Sequence, residues 1–71
     1  MKFVPERLEV AVGERITWVN RDIVPHTVTG KGLESGDLAE GKTFSWVARG
    51  RGEVAYICRL HPMMKATIVV R

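Results

Sequence analysis

The sequence predicts an all-β domain, a small sandwich of about six or seven strands. Three observations indicate this fold class. Apolar and polar residues alternate along several short segments, turn signals separate those segments at intervals of roughly 8–12 residues, and no window of useful length has a helical period. A chain of 71 residues has room for one domain, so residues 1–71 are predicted to form a single folding unit.

The first two predicted strands lie near the N-terminus. Residues 6–12 alternate broadly and end at Gly13-Glu14, which is a turn signal. Residues 14–20 have a period of two, with β-branched and aromatic side chains that favour a strand. Ile16 and Trp18 share one face of this second strand, and we expect that face to lie in the core.

Four further strands are predicted along the rest of the chain. A short strand over residues 26–29 is followed by residues 30–36, which contain three glycines and are predicted to form a loop. Alternation returns over residues 42–48, 53–58 and 65–71. The side chains predicted to face inward are Phe44, Trp46 and Ala48, then Val54, Tyr56 and Cys58, then Ala66, Ile68 and Val70. The hydroxyl of the buried tyrosine is expected to find a backbone partner in a loop.

Composition excludes several classes of protein. Hydrophobic residues make up 45% of the chain and charged residues 27%, values that are ordinary for a folded soluble domain. The longest stretch without a charged residue has eight residues, whereas a membrane helix needs about 20 apolar ones, so no membrane span is predicted. No apolar segment follows Met1-Lys2, so no signal peptide is predicted in this chain. A single cysteine excludes an internal disulfide, which leaves a metal ion as a candidate for stabilising so small a domain.

The positive charge is concentrated at the C-terminal end. Residues 49–71 contain five basic residues and one acidic residue, whereas residues 1–48 contain six basic and seven acidic ones. The basic residues do not form a run, and no signature of a nucleic-acid-binding module accompanies them. Nucleic acid is therefore not predicted as a partner, although a basic end can steer an anionic protein.

The chemically informative segment is residues 58–64, where a thiolate, an imidazole and a thioether follow at intervals of three residues. Cys58, His61 and Met64 are predicted to lie in one loop between two strands, and Met63 is a rival for the thioether position. His26 lies far away in sequence, at the start of another predicted strand, so all these side chains could meet at one end of a sandwich. Two imidazoles, a thiolate and a weak axial thioether suit both Cu(I) and Cu(II).

The sequence leaves three other interpretations of these residues open. A lone cysteine in a strand is usually a small buried hydrophobe. Cys58 and His61 could instead be a nucleophile and its base, although no third orienting group is evident. A zinc site is a better rival, but structural zinc sites use four strong ligands, and a methionine is a poor one.

The chain resembles the cupredoxins, the blue copper proteins of the plastocyanin and amicyanin group. Residues 12–20 followed by Pro25-His26-Thr27-Val28 are similar to that group's first ligand region, and residues 56–65 are similar to its second. The spacing Cys-x-x-His-x-x-Met is the short ligand loop of the amicyanins. The resemblance spans nearly the whole chain and implies a Greek-key sandwich. It implies His26, Cys58 and His61 as strong copper ligands and Met64 as the axial ligand.

Three departures from the family accompany the resemblance. Members usually have an additional N-terminal strand, which this chain lacks, so an open sheet edge is expected that could allow dimerisation. Thr27 stands where asparagine is common, and Arg59 stands where a small or polar residue is frequent. In addition, Pro62 has no N–H, so we expect Thr27 or a neighbour to supply the only hydrogen bond to the Cys58 sulfur.

The resemblance also implies a function. A type 1 copper site would transfer single electrons between redox proteins such as an amine dehydrogenase, a cytochrome c or a copper oxidase, without enzymatic turnover, in the periplasm or elsewhere outside the cytoplasm. Two alternatives are copper delivery and a cupredoxin module cut or minimised from a larger copper oxidoreductase. Arg21, Arg59 and Lys65 would surround the docking surface with positive charge. The apolar rim expected to contact a partner consists of Val24, Pro25, Leu60, Pro62 and Met63.

Overall fold

Residues 2–71, which we describe from a computed structural model, form seven strands and no helix. None of these residues belongs to a helix that is long and apolar enough to cross a bilayer. The strands are β1 (Arg7–Val10), β2 (Arg15–Val19), β3 (Thr29–Gly30), β4 (Leu33–Glu34), β5 (Thr43–Val47), β6 (Gly52–Cys58) and β7 (His61–Val70). The predicted all-β class is confirmed.

Two sheets make up the sandwich. The larger sheet has the strand order β1-β7-β6-β3-β4, in which β1 runs parallel to β7 and the other neighbours are antiparallel. The smaller sheet consists of β2 and β5, paired antiparallel so that Trp18 lies opposite Phe44. The chain passes from the larger sheet to the smaller one and back twice, at β2 and at β5, and the long β6–β7 hairpin forms the centre of the larger sheet.

Alternation along the strands produces one core between the sheets, as the sequence predicted. In β7, Met64, Ala66, Ile68 and Val70 are buried while Lys65 is exposed. This is the period of two that a half-buried strand requires. The aromatic residues of the smaller sheet are partly buried against the same core, and they are Trp18, Phe44 and Trp46.

Three elements near the site differ from the prediction. In place of the strand predicted over residues 26–29, His26 forms only an isolated bridge and β3 covers Thr29–Gly30. The glycine-rich residues 30–36 are not a plain loop, because β4 lies within them and forms a short hairpin with β3. Strand β7 begins at His61 rather than at residue 65, so the ligand segment is largely a strand and not a free loop. Local composition did not reveal the last two features because each depends on pairing with a neighbouring strand, β3 for β4 and β6 for the start of β7.

Candidate metal centre

Three side chains from two distant segments meet at one end of the sandwich. The donor atoms of His26, Cys58 and His61 all lie within 4.8 Å of one another. His26 and Cys58 are buried, and His61 is partly exposed. The structure therefore brings together the three residues that the sequence singled out as strong ligands.

The β6–β7 hairpin positions two of these donors. Cys58 ends β6 and pairs with His61, the first residue of β7, after a register shift between Ile57 and Cys58. Only Arg59 and Leu60 lie between the two paired residues, so the thiol and the imidazole are held at the tip of a tight hairpin. A turn this short leaves few backbone torsions through which the two donors could move apart.

His26 is positioned by a separate set of backbone hydrogen bonds. It forms an isolated bridge with Leu38, in which each residue donates its N–H to the carbonyl of the other at 3.1 and 2.7 Å. The buried side chain of Asn20 stabilises the preceding loop. Its Nδ2 donates to the carbonyls of Val24 and Leu38, and its Oδ1 accepts the N–H of Asp22. The sequence alone had given Asn20 no role at the site.

Asp22 fixes the orientation of the His26 ring. Its Oδ2 lies 2.7 Å from His26 Nε2, so Nε2 carries the proton that is donated to the carboxylate. The other ring nitrogen, Nδ1, faces Cys58 Sγ, and it is the atom that presents a lone pair when the ring is neutral. Carboxylate partners of this kind orient histidines that bind metals. Sequence reasoning missed this residue, and the signal that could have found it is its spacing of four residues before His26.

The surroundings of Cys58 favour the thiolate. Burial raises the pKa of its thiol, but hydrogen bonds from the Thr27 N–H, the rings of His26 and His61 and the Leu60 N–H outweigh that effect and lower the pKa to about 6. The Thr27 N–H donates to Sγ at 3.3 Å. Thr27 thus supplies the hydrogen bond to the sulfur that the sequence led us to expect from it or a neighbour.

The distances between donors fit a shared metal ion. Sγ lies 3.7 Å from Nδ1 of His26 and 3.7 Å from Nδ1 of His61, which is long for a strong hydrogen bond. Metal bonds of about 2.0 Å to nitrogen and about 2.3 Å to sulfur, separated by about 120°, place the two donors about 3.7 Å apart. Neutral Nδ1 atoms and a thiolate are also the forms that bind metals.

The two adjacent methionines occupy opposite environments. Met64 is only 5% exposed, and it lines a cavity of about 470 Å³ together with His26 and Trp18. Met63 is 91% exposed. Alternation along β7 separates them, because Met64 is in phase with the buried Ala66 and Met63 is not.

The surface around the centre is partly apolar, as the sequence suggested. Pro25, Leu60, Pro62 and Met63 are exposed, and Val24 is half-buried. Ile23, which the sequence analysis did not name, is 86% exposed and extends the apolar segment beside His26.

The charge at this end is less positive than expected from sequence. The Arg59 guanidinium lies 3.4 Å from Glu34 Oε2 and 4.0 Å from Asp37 Oδ1. Hairpin β3–β4 supplies both the Glu34 carboxylate and the turn that leads to Asp37. Residues 30–36 were predicted from the sequence to form a loop, so this pairing of charges was not expected.

Comparisons with known proteins agree with this geometry. No family model matches the chain. It is 34% identical to amicyanin-alpha of Methylorubrum extorquens and 31% identical to amicyanin of Paracoccus denitrificans, in both cases over 99% of its length. It spans 65% and 59% of the lengths of these curated relatives.

Solved structures extend the likeness to the fold. The Cu(I) form of an amicyanin variant superposes with a TM-score of 0.95 and 31% identity, covering all of this chain and 74% of the other. A purple cupredoxin from Nitrosopumilus maritimus gives a TM-score of 0.90 and 32% identity, covering 96% of this chain and 80% of the other. The fold, the sequence identity and the meeting of two histidines with one cysteine together show that the chain belongs to the cupredoxins, on their amicyanin side.

Proposed function

We propose that this protein is a one-electron carrier that binds one copper ion in a type 1 site formed by His26, Cys58, His61 and Met64. The observation that carries the proposal is the convergence of two imidazole nitrogens and one thiolate within 4.8 Å. The cupredoxin family and the donor set support copper, since thiolate and thioether ligands favour Cu(I) and imidazoles also suit Cu(II). When bound, copper supplies the one-electron couple between these two states.

Each proposed ligand has a distinct task. Cys58 provides a thiolate whose charge the Thr27 N–H stabilises. His26 presents Nδ1 because Asp22 holds its Nε2–H, so the ring cannot rotate freely when the charge of the centre changes. Met64 is proposed as the axial ligand because it is buried on the cavity wall beside His26, whereas Met63 points to solvent.

His61 is proposed as the exit point for the electron. Its ring is partly exposed and its centroid lies 5.0 Å from that of the buried His26. The exposed apolar residues around it would exclude water from a transient contact with a redox protein of the amine dehydrogenase, cytochrome c or copper oxidase type. Because Glu34 and Asp37 offset the charge of Arg59, apolar contact rather than a strong positive field is proposed to guide docking.

Two further assignments follow from the family and a third from the sheet topology, and all three are proposals of the same kind. The protein acts without enzymatic turnover, and it works in the periplasm or elsewhere outside the cytoplasm. The smaller sheet contains only β2 and β5 among the described residues, so its outer strand edges could pair with a second copy.

The test of the copper site is a visible spectrum during titration with Cu(II). We expect an intense thiolate-to-copper band that saturates at one equivalent in the wild type and is lost in Cys58→Ser. The adjacent methionines provide a matched pair. Met64→Leu should change the band and the midpoint potential, whereas Met63→Leu should leave both as in the wild type. A wild type that stays colourless, or takes up zinc only, would refute the proposal.

Electron transfer is then separated from copper delivery by kinetics. Stopped-flow mixing of the reduced copper protein with an oxidised c-type cytochrome should show oxidation of the centre while the copper stays bound. Rapid loss of Cu(I) to a chelator without electron exchange would favour a delivery function instead.

A further inference from the structure

We infer that Thr29 and Glu34 are positioning residues for the Cys58 thiolate, acting through a one-way chain of hydrogen bonds that ends on the Glu34 carboxylate. The inference deepens the proposed function and rests on it for its meaning at the metal. Neither residue belongs to the ligand segments. Both come from the β3–β4 hairpin, whereas the sequence predicted Thr29 at the end of a strand and Glu34 in a loop.

The chain of hydrogen bonds begins beside Cys58 and leads away from it. The N–H of Arg59, the residue after the cysteine, donates to Thr27 Oγ1 at 2.8 Å. Thr27 Oγ1 lies 2.9 Å from Thr29 Oγ1, and Thr29 Oγ1 donates to Glu34 Oε2 at 3.3 Å. Thr27 has no exposed surface, so its hydroxyl cannot exchange these partners for water.

The direction of each bond follows from the number of protons available. Glu34 is a carboxylate near neutral pH and can only accept, so Thr29 must donate its single hydroxyl proton to it. Thr29 Oγ1 is then free only to accept from Thr27, whose own hydroxyl proton therefore points to Thr29. Thr27 Oγ1 in turn accepts the Arg59 N–H. All three donors point the same way, an arrangement in which hydrogen bonds strengthen one another.

Arg59 contacts both ends of this hydrogen-bond chain and so closes it into a ring. Its backbone N–H begins the chain, and its Nη2 lies 3.4 Å from Glu34 Oε2, the atom on which the chain ends. The same oxygen accepts the N–H of Gly36 at 2.9 Å, which holds the carboxylate in place. The tip of the β6–β7 hairpin is thereby joined to the β3–β4 hairpin by both the main chain and the side chain of one residue.

The consequence for the thiolate passes through Thr27. This residue uses its N–H to donate to Cys58 Sγ and its hydroxyl to accept from Arg59, so it links the two ligand segments on both sides of the sulfur. Breaking the chain at Thr29 removes the acceptor of the buried Thr27 hydroxyl, which must then rotate to find another. We expect the Arg59 N–H bond to weaken and the Thr27 N–H to donate less well to the thiolate.

Thr29→Val is the informative variant, because it removes one hydroxyl and keeps a β-branched side chain in the strand. Thr29→Ser restores the hydroxyl and serves as the rescue. Thr17→Val is the matched control, since it removes a hydroxyl that lies 2.9 Å from Ser45 Oγ across the other sheet. Hydrogen exchange of the Arg59 and Thr27 amides is followed by NMR in the metal-free and Cu(I)-loaded proteins, and the midpoint potential is measured on the copper-loaded protein.

In Thr29→Val we expect both amides to exchange about tenfold faster, the factor that one lost hydrogen bond commonly makes in an opening equilibrium. The midpoint potential should fall, because a thiolate that accepts weaker hydrogen bonds favours Cu(II). Thr29→Ser and Thr17→Val should match the wild type in both measurements. Wild-type exchange or an unchanged potential in Thr29→Val would overturn the inference. A wild type that forms no thiolate-to-copper band would refute the proposed function instead, and the exchange data for the metal-free protein would still decide whether the chain exists.

Discussion

Tyr56 illustrates, at the scale of single residues, how a buried polar group finds its partner across the core. Its ring makes edge contacts with Phe3 and Trp18, at centroid distances of 4.8 and 5.6 Å. Its hydroxyl accepts a hydrogen bond from Trp18 Nε1 at 3.3 Å. The sequence had suggested a backbone partner in a loop, and this was wrong because β2 of the opposite sheet places the indole directly within reach.

This environment makes the stability of the protein depend on pH in the alkaline range. Burial raises the pKa of Tyr56, and the hydrogen bond from Trp18 offsets only part of that effect. The folded state thus holds the phenolic proton more tightly than the unfolded state, whose pKa is about 10. The resulting stabilisation is fully present below that pH and is lost as the pH rises beyond it.

Urea denaturation of the wild type and Tyr56→Phe, measured from pH 7 to pH 11.5, tests this dependence. The wild type should lose stability relative to Tyr56→Phe above pH 10, whereas at pH 7 the two should differ by about 1 kcal/mol or less. A difference between the two proteins that stays constant over the whole range would contradict the expected shift.

The residues proposed as ligands could be predicted from the sequence, but most of the residues that support them through hydrogen bonds could not. Cys58, His61 and His26 carry chemistry that is recognisable from residue type and spacing alone. Asp22, Thr27 and Glu34 act through hydrogen bonds whose existence depends on which strands pair and in which register. Met64 is intermediate, because alternation along β7 distinguishes it from Met63 only when the register of that strand is known.

At the scale of elements, the contact between β3 and β6 determines how the site is supported. The two-residue strand β3 pairs Thr29 with Ile57 and Gly30 with Tyr56. A Cβ at position 30 would lie 2.5 Å from the carbonyl oxygen of Ala55 and 3.2 Å from Tyr56 Cβ. Glycine is therefore required by this close approach of two backbones, not by a special backbone conformation.

Gly30→Ala should accordingly destabilise the protein by about 1–3 kcal/mol, because the obstructing atom belongs to the backbone and cannot rotate away. Gly50→Ala is the matched control, since a Cβ there would meet nothing within 4 Å. Urea denaturation at neutral pH measures both. Equal stability of the two variants would show that β3 can move away from β6 without cost, and the support that β3 gives to Thr29 would then be in doubt.

The elements that the sequence predicted well are those whose own residues alternate over several positions. Strands β2, β5 and β6 are of this kind, and their predicted bounds are off by no more than one residue at either end. Strand β4 and the first residues of β7 have little strand propensity, and each has glycine or proline in it or next to it. These segments are extended because they form hydrogen bonds with a neighbouring strand, and no local sequence pattern predicts such pairing.

At the scale of the whole molecule, the candidate centre ties together segments that are distant in sequence. His26 follows the loop after β2 of the smaller sheet, whereas Cys58 and His61 lie in the central hairpin of the larger one. A chain of 71 residues buries only a modest core, so a link between these distant segments is significant for stability. No disulfide within the chain can serve this purpose, because Cys58 is its single cysteine.

Metal binding is therefore expected to stabilise the fold as well as to provide the redox couple. The unfolded chain does not hold the three donors within 4.8 Å, so an ion that binds the folded state shifts the folding equilibrium by mass action. At a free Cu(I) concentration about 100 times the dissociation constant, the gain is about 2.7 kcal/mol. For a domain of this size, that gain raises the melting temperature by roughly 10–20 °C.

Anaerobic thermal unfolding with and without Cu(I) measures this gain, and a Cu(I) chelator should return the melting temperature to its metal-free value. Cys58→Ser and His61→Ala each remove a strong donor and should show a much smaller gain, whereas Met63→Leu, at an exposed position, should show the full one. If Cys58→Ser gained as much as the wild type, the ion would bind elsewhere on the chain. The proposed tie between the two segments would then have no thermodynamic basis.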